Sequence, residues 1–156
     1  MNDQHQSFEA LKQLSDEGFE YWSARDLAPL LEYKDWRNFQ KVISKAMQAC
    51  EASGHDLADH FVEATKMVML GSGSQRELDD VQLSRYACYL VVQNADPSKP
   101  VIAAGQTYFA LQTRRQELAD NASFQQLKED QKRLFLRAEM REHNKQLVEA
   151  AQQAGV

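Results

Sequence analysis

Cysteine, proline and glycine are scarce in this 156-residue chain, at two, three and six residues. Cys50 and Cys88 lie far apart, and neither has a partner at the short spacing of a metal knuckle or a redox pair. That pattern reads as reduced thiols in the cytosol. Long apolar runs are missing too. None approaches the roughly 18 residues needed to span a bilayer, and the opening Met1-Asn2-Asp3-Gln4-His5-Gln6 has no charged-then-apolar character. A soluble, cytoplasmic chain with no membrane partner is expected. No tract is repetitive or of low complexity. Bases are the minority charge, 18 against 23 acids, and the net −5 argues against wholesale coating of nucleic acid.

What is present suits one core. With 43% hydrophobic residues the chain can build a single domain, expected over residues 1–120, followed by a helical extension over 121–156. The densest apolar run, Leu83 to Asn94, carries one charge, Arg85. It reads as a central buried helix, with Arg85 either paired inside to Asp79 or Asp80, the favoured reading, or reaching the surface beside Arg114 and Arg115. Ahead of it, Phe8, Leu11 and Leu14 predict a helix over 8–14, and Phe19 to Trp22 a short strand. Ser23 and Asp26 predict the cap of a second helix with Leu27, Leu30 and Leu31 inside. Trp36, Phe39, Val42, Ile43, Ala46 and Met47 predict a third helix from Asp35 to Ala52, stopped at Ser53-Gly54.

Residues 55–82 read as short strands at Phe61–Glu63, Lys66–Leu70 and Leu78–Val81, with Gly71 to Ser74 as a hairpin turn. After the turn at Asp96-Pro97-Ser98-Lys99-Pro100, a substantially buried helix is expected from Val101 to Leu118. Ser123 should then cap a last helix reaching about Ala151, with Phe124, Leu127, Leu134, Phe135 and Ala138 inside and no convincing stop before Gly155. The fold class is therefore α+β, mainly helical, with a small antiparallel β-ribbon and a long C-terminal helix.

Charge is unevenly distributed. Residues 22–45 hold five bases against three acids, and residues 85–115 four bases against one. Such segments permit a local anion-binding face on an acidic protein if they meet in space. In the first, Arg25, Lys34, Arg37, Lys41 and Lys45 surround a short helix, a tight break and a second helix, an order reminiscent of helix-turn-helix docking on DNA. In the second, Arg114 and Arg115 sit in the polar stretch Gln112 to Gln116, suited to nucleic acid or to a favourable helix C-terminal charge. Arg133, Arg137, Arg141 and Lys145 recur at four-residue steps and form a ridge about 18 Å long. Either it contacts phosphates or an acidic partner, or it is a solvated face supported by Glu129–Arg133 and Lys145–Glu149 pairs.

Signs of catalysis and cofactors are weak. Cys50, His55, Asp56, Asp59 and His60 are potential metal ligands, but their spacing matches no knuckle. Asp130-Gln131-Lys132 has the letters of a nuclease acid-x-lysine element on a helix, where the two groups would not converge on one ion. Gly71-Ser72-Gly73 has no following Gly-Lys-Ser/Thr and is no phosphate loop. No cofactor, metal or catalytic residue is expected.

Trp22-Ser23-Ala24-Arg25-Asp26-Leu27 with Leu30-Leu31-Glu32-Tyr33 resembles the opening of the BRO-type N-terminal domain of phage antirepressors and baculovirus repeated-ORF proteins. More narrowly, Leu83 to Asn94, Asp96-Pro97, Ile102 to Ala110, Gln112 to Leu118 and the tail from His143 resemble the bacterial DNA-damage-inducible D family. The resemblance covers essentially the whole chain. It implies SOS induction, a nucleoid-associated role, and modulation of a RecA-type recombinase filament on single-stranded DNA. It also implies a chain that continues past Val156. Leu31-Glu32-Tyr33 stands where Leu-Gly-Tyr is common, which implies a different turn geometry. The family supplies no catalytic residue and no DNA-contacting residue to carry over. A non-enzymatic protein binding DNA or a recombinase filament, possible as a homo-oligomer, is the expectation. The alternatives are an interaction module without DNA contact and a metal-dependent nuclease.

Overall fold

A computed structural model describes residues 2–127 and 129–153. Two compact units divide the chain between Tyr108 and Phe109. The first is α+β. Its elements run α1 (Asn2–Ala10), β1 (Gln13–Leu14), β2 (Glu20–Ser23), α2 (Ala24–Leu30), α3 (Trp36–Ala52), α4 (Leu57–His60), β3 (Phe61–Met69), β4 (Gln75–Leu83) and α5 (Arg85–Gln93), then the start of α6 (Pro100–Gln125). The strands form one antiparallel sheet in the order β1-β2-β4-β3.

Local chemistry explains most boundaries. Ser23, Asp35, Asp56 and Ser84 cap α2, α3, α4 and α5, each accepting a backbone N–H of the first turn. At the end of α3, Gly54 takes a left-handed φ of 86°, and the His55 and Gly54 amides donate to the Cys50 and Glu51 carbonyls. That is a Schellman stop, as Ser53-Gly54 predicts. Pro29 is tolerated because α2 has only seven residues.

The core lies where α2, α3 and α5 meet the base of the sheet. Trp22, Phe39, Leu27, Leu83, Ile102, Val91, Cys50 and Cys88 are fully buried there. α5 is the inner helix expected, with Ala87, Cys88, Leu90 and Val91 buried. Burial pushes the Cys88 thiol well above its ordinary range, so it stays protonated and inert.

Several expectations change. Residues 13–14 form β1 rather than the end of a helix, because Gln13 and Leu14 pair with Tyr21 and Glu20, leaving Leu14 exposed. The three short strands are two continuous nine-residue strands, β3 and β4, in register from Phe61↔Leu83 to Met69↔Gln75. Arg85 pairs not with Asp79 or Asp80 but with Glu9 and Glu20. Asp80 is instead buried against the Ser23 hydroxyl and the Arg25 amide.

Beyond Phe109 the second unit holds the rest of α6 and α7 (Glu129–Gln153). α6 buries Val101 and Ile102, whereas Leu111 and Leu118 are exposed, so the substantial burial expected of it fails. α6 also runs through Asp120-Asn121-Ala122, since none of these residues removes a helix donor. α7 has no buried residue, and Leu134 and Phe135 of its expected inner stripe are exposed. Phe124 and Phe135 meet at 5.6 Å. The stop expected at Gly155 lies outside the described residues.

Candidate nucleic-acid interface

The α2–α3 junction is built on an unusual residue. Glu32 has φ 64°, while the Tyr33 and Glu32 amides donate to the Ala28 and Pro29 carbonyls at 2.9 and 3.0 Å. This is a second Schellman stop, with glutamate in the left-handed position that glycine favours. The turn delivers Tyr33 inward, 8% exposed and 5.1 Å from Phe39. Its hydroxyl accepts the Asp96 amide at 2.9 Å, tying the loop after α5 to the start of α3.

Between these two loops opens a cleft of about 700 Å³ lined by Lys34, Lys41, Lys45 and Lys99. Lys34 precedes α3, Lys41 and Lys45 stand one turn apart on its exposed face, and Lys99 comes from the second basic segment. Lys99 Nζ donates to the Glu32 carbonyl at 3.0 Å and lies 4.6 Å over the Tyr33 ring. Lys34, Lys41 and Lys45 make no ion pair among the described residues.

The cleft also contains Glu32, Asp35 and Asp96, two of them committed to the backbone. Asp35 accepts the Arg37 amide at 2.9 Å as the α3 cap. Asp96 accepts the Ser98 amide and hydroxyl at 2.9 and 2.8 Å. The Ser98 amide first, its hydroxyl next and then the Lys99 charge hold the Asp96 carboxyl below its ordinary range. Asn38 and Asn94 complete the polar lining. Asn94 spends its amide N–H on the Leu90 carbonyl.

This arrangement opposes helix stability. Lys34 and Arg37 sit at the positive end of the α3 dipole. Arg37, Lys41 and Lys45 form a four-spaced row of like charge, with each neighbouring pair costing a few tenths of a kcal/mol. A bound polyanion relieves both costs, and phosphodiester oxygens match ammonium donors.

Of the other basic residues expected to bind, Arg25 has a structural engagement. Its guanidinium lies 4.0 Å over Trp36, and its Nε donates to the Asp79 carbonyl at 2.6 Å, fastening α2 to β4. Arg37 is exposed and outside the cleft. Arg114 and Arg115 belong to the second unit, where Arg114 lies 3.9 Å from Glu117. Arg133, Arg137, Arg141 and Lys145 are exposed on α7 and make no ion pair among the described residues. Lys99, Asn38 and Asn94 escaped sequence reasoning. The excess of bases in residues 85–115 was the available signal, but it pointed equally at four residues.

The possible metal ligands are differently arranged. The His55 and His60 rings flank Tyr86 at 4.9 and 4.8 Å, and His60 Nδ1 shares a 2.7 Å hydrogen bond with the Ser84 hydroxyl. Cys50 is buried, its Sγ 4.0 Å from the His55 carbonyl. Among the described residues no three ligating side chains converge, and no helix is long and apolar enough to cross a membrane.

Residues 127–156 match the DinD C-terminal domain. The chain is 64% identical over 156 residues to DNA damage-inducible protein D of Escherichia coli strain K12, covering 100% of this chain and 57% of that protein. It thus spans little more than half the length of that relative. No solved structure matches. Residues 10–110, which contain the α2–α3 junction, the sheet and the lysine cleft, match the BRO family N-terminal domain, and the chain belongs to that family.

Proposed function

We propose that this chain acts in the bacterial response to DNA damage as a non-enzymatic DNA-binding module, with the cleft of Lys34, Lys41, Lys45 and Lys99 holding backbone phosphates. The observation that carries this reading is the meeting of the two basic segments in one concave site. None of its four ammonium groups makes an ion pair among the described residues, Lys99 alone being held, by the Glu32 carbonyl. The name of the E. coli relative supports the damage-response setting. A RecA-type filament on single-stranded DNA is the partner proposed with it, the α7 row of Arg133, Arg137, Arg141 and Lys145 providing a further basic surface. The site would operate at the nucleoid.

Affinity for single- and double-stranded DNA across a salt series tests the reading. Binding should weaken steeply with salt, and Lys41→Gln with Lys45→Gln should flatten the log–log slope by about 1 per lysine removed. Undetectable binding at low salt would return the chain to the class of interaction modules that do not touch DNA, and an unchanged slope in the double variant would remove the phosphate contacts from the cleft. Substituting the α7 row with glutamine separates its contribution from that of the cleft.

A further inference from the structure

β3 is an edge strand, and its outer side is built for pairing. The Ser84 amide donates to the His60 carbonyl, and the Leu70 amide to the Ser74 carbonyl. Both bonds fall in the β3–β4 register, which pairs Phe61 with Leu83 and Met69 with Gln75. Even-numbered residues of β3 therefore turn their backbone groups towards β4, and odd-numbered residues turn theirs outward. The Phe61 amide is used by the Leu57 carbonyl. Glu63, Thr65 and Met67 are left with donors and acceptors on the open edge.

The side chains of this strand do not protect it. Val62, Met67 and Met69 are 45%, 54% and 64% exposed. Lys66, the one cation on β3, is drawn away to Asp26 on α2. Natural edges are usually blunted by exposed lysine, proline or a bulge, and β3 has none of these.

We infer that β3 pairs antiparallel with β3 of a second copy of this chain, about a two-fold axis at Thr65, to form one continuous eight-stranded sheet. The strand is self-complementary in that register. Thr65 is the midpoint of Phe61–Met69, so all nine residues overlap. Thr65 then opposes Thr65 of the second copy, Val62 opposes Val68, Glu63 opposes Met67 and Ala64 opposes Lys66. Threonine and β-branched pairs are favourable opposite one another, and no like charges are directly opposed. Shifting the axis by one residue would place Lys66 against Lys66 or Ala64 against Ala64 and leave a strand end unpaired. The exposed face of the ribbon carries Glu63, Glu77 and Asp79, so salt should strengthen association by screening the acids brought together. DNA binding would respond to salt in the opposite sense.

Sedimentation velocity of the 156-residue chain over a wide concentration range tests the inference. The weight-average mass should rise roughly twofold towards the dimer, at lower concentration as salt increases. Thr65→Pro removes an outward donor, which an edge strand tolerates. It should leave circular dichroism and Tm of the monomer unchanged while holding the mass at one chain. Lys66→Pro, whose amide faces β4, should instead lower Tm. A wild-type chain that stays monomeric at the highest concentration and salt overturns the inference, as does a dimer that persists in Thr65→Pro.

Discussion

Two side chains show what single residues contribute. Glu32 holds a left-handed backbone that costs an L-residue roughly 1 kcal/mol relative to glycine. Glu32→Gly should therefore raise stability by about 1 kcal/mol in chemical denaturation and preserve the Schellman bonds. The φ of 64° is the conformation glycine favours, so at Leu31-Glu32-Tyr33 the chain keeps a left-handed turn without a glycine to relieve it. Arg85 is the other case. It makes paired hydrogen bonds to both Glu9 and Glu20, and its guanidinium carbon lies 4.9 Å over Trp22. Hydrogen bonding to Arg85 holds the Glu20 carboxyl below its ordinary range, and the two carboxylates together push the guanidinium further up. Because the folded Glu20 pKa is depressed, its stabilising effect is complete above the unfolded pKa and disappears as pH falls through the folded one. Arg85→Gln should cost about 2 kcal/mol at neutral pH, and the deficit should shrink below about pH 4, as equilibrium unfolding at several pH values would show.

Elements add constraints that no single residue carries. α5 and α6 approach so closely that a Cβ on Gly105 would lie 2.8 Å from Val92 Cγ1. Alanine in a helix normally gains about 1 kcal/mol over glycine, yet Gly105→Ala should lower stability by about 1 kcal/mol because the β-branched Val92 cannot move aside cheaply. A Tm above wild type would show that the helices separate without penalty. The cap at Ser23, the start of α3 at Asp35 and the stop at Ser53-Gly54 were legible because each involves neighbours within one turn. β1 was not, since Leu14 continues the spacing of Phe8 and Leu11, and only pairing with β2 takes it out of the helix. The burial expected of α6 failed for a related reason. Apolar letters on several faces mark a surface able to pack, whereas packing also requires a partner surface.

At the scale of the whole molecule, salt distinguishes the two surfaces: the lysine cleft should release DNA as salt rises, while the acidic β3–β4 ribbon should associate more readily. Measuring both in the same buffers assigns each effect to its surface, with the Lys41→Gln/Lys45→Gln variant altering only the first and Thr65→Pro only the second. Periodicity, caps and charge counts sufficed for the α+β class, the inner helix α5 and two basic segments, because these depend on residues close together in the chain. Tertiary structure alone decided that Lys99 joins Lys34, Lys41 and Lys45, that Arg25 is occupied by Trp36 and Asp79, and that Arg85 reaches partners 65 and 76 residues away. Those relations depend on which loops the core brings side by side, a long-range outcome of burial that local spacing does not encode.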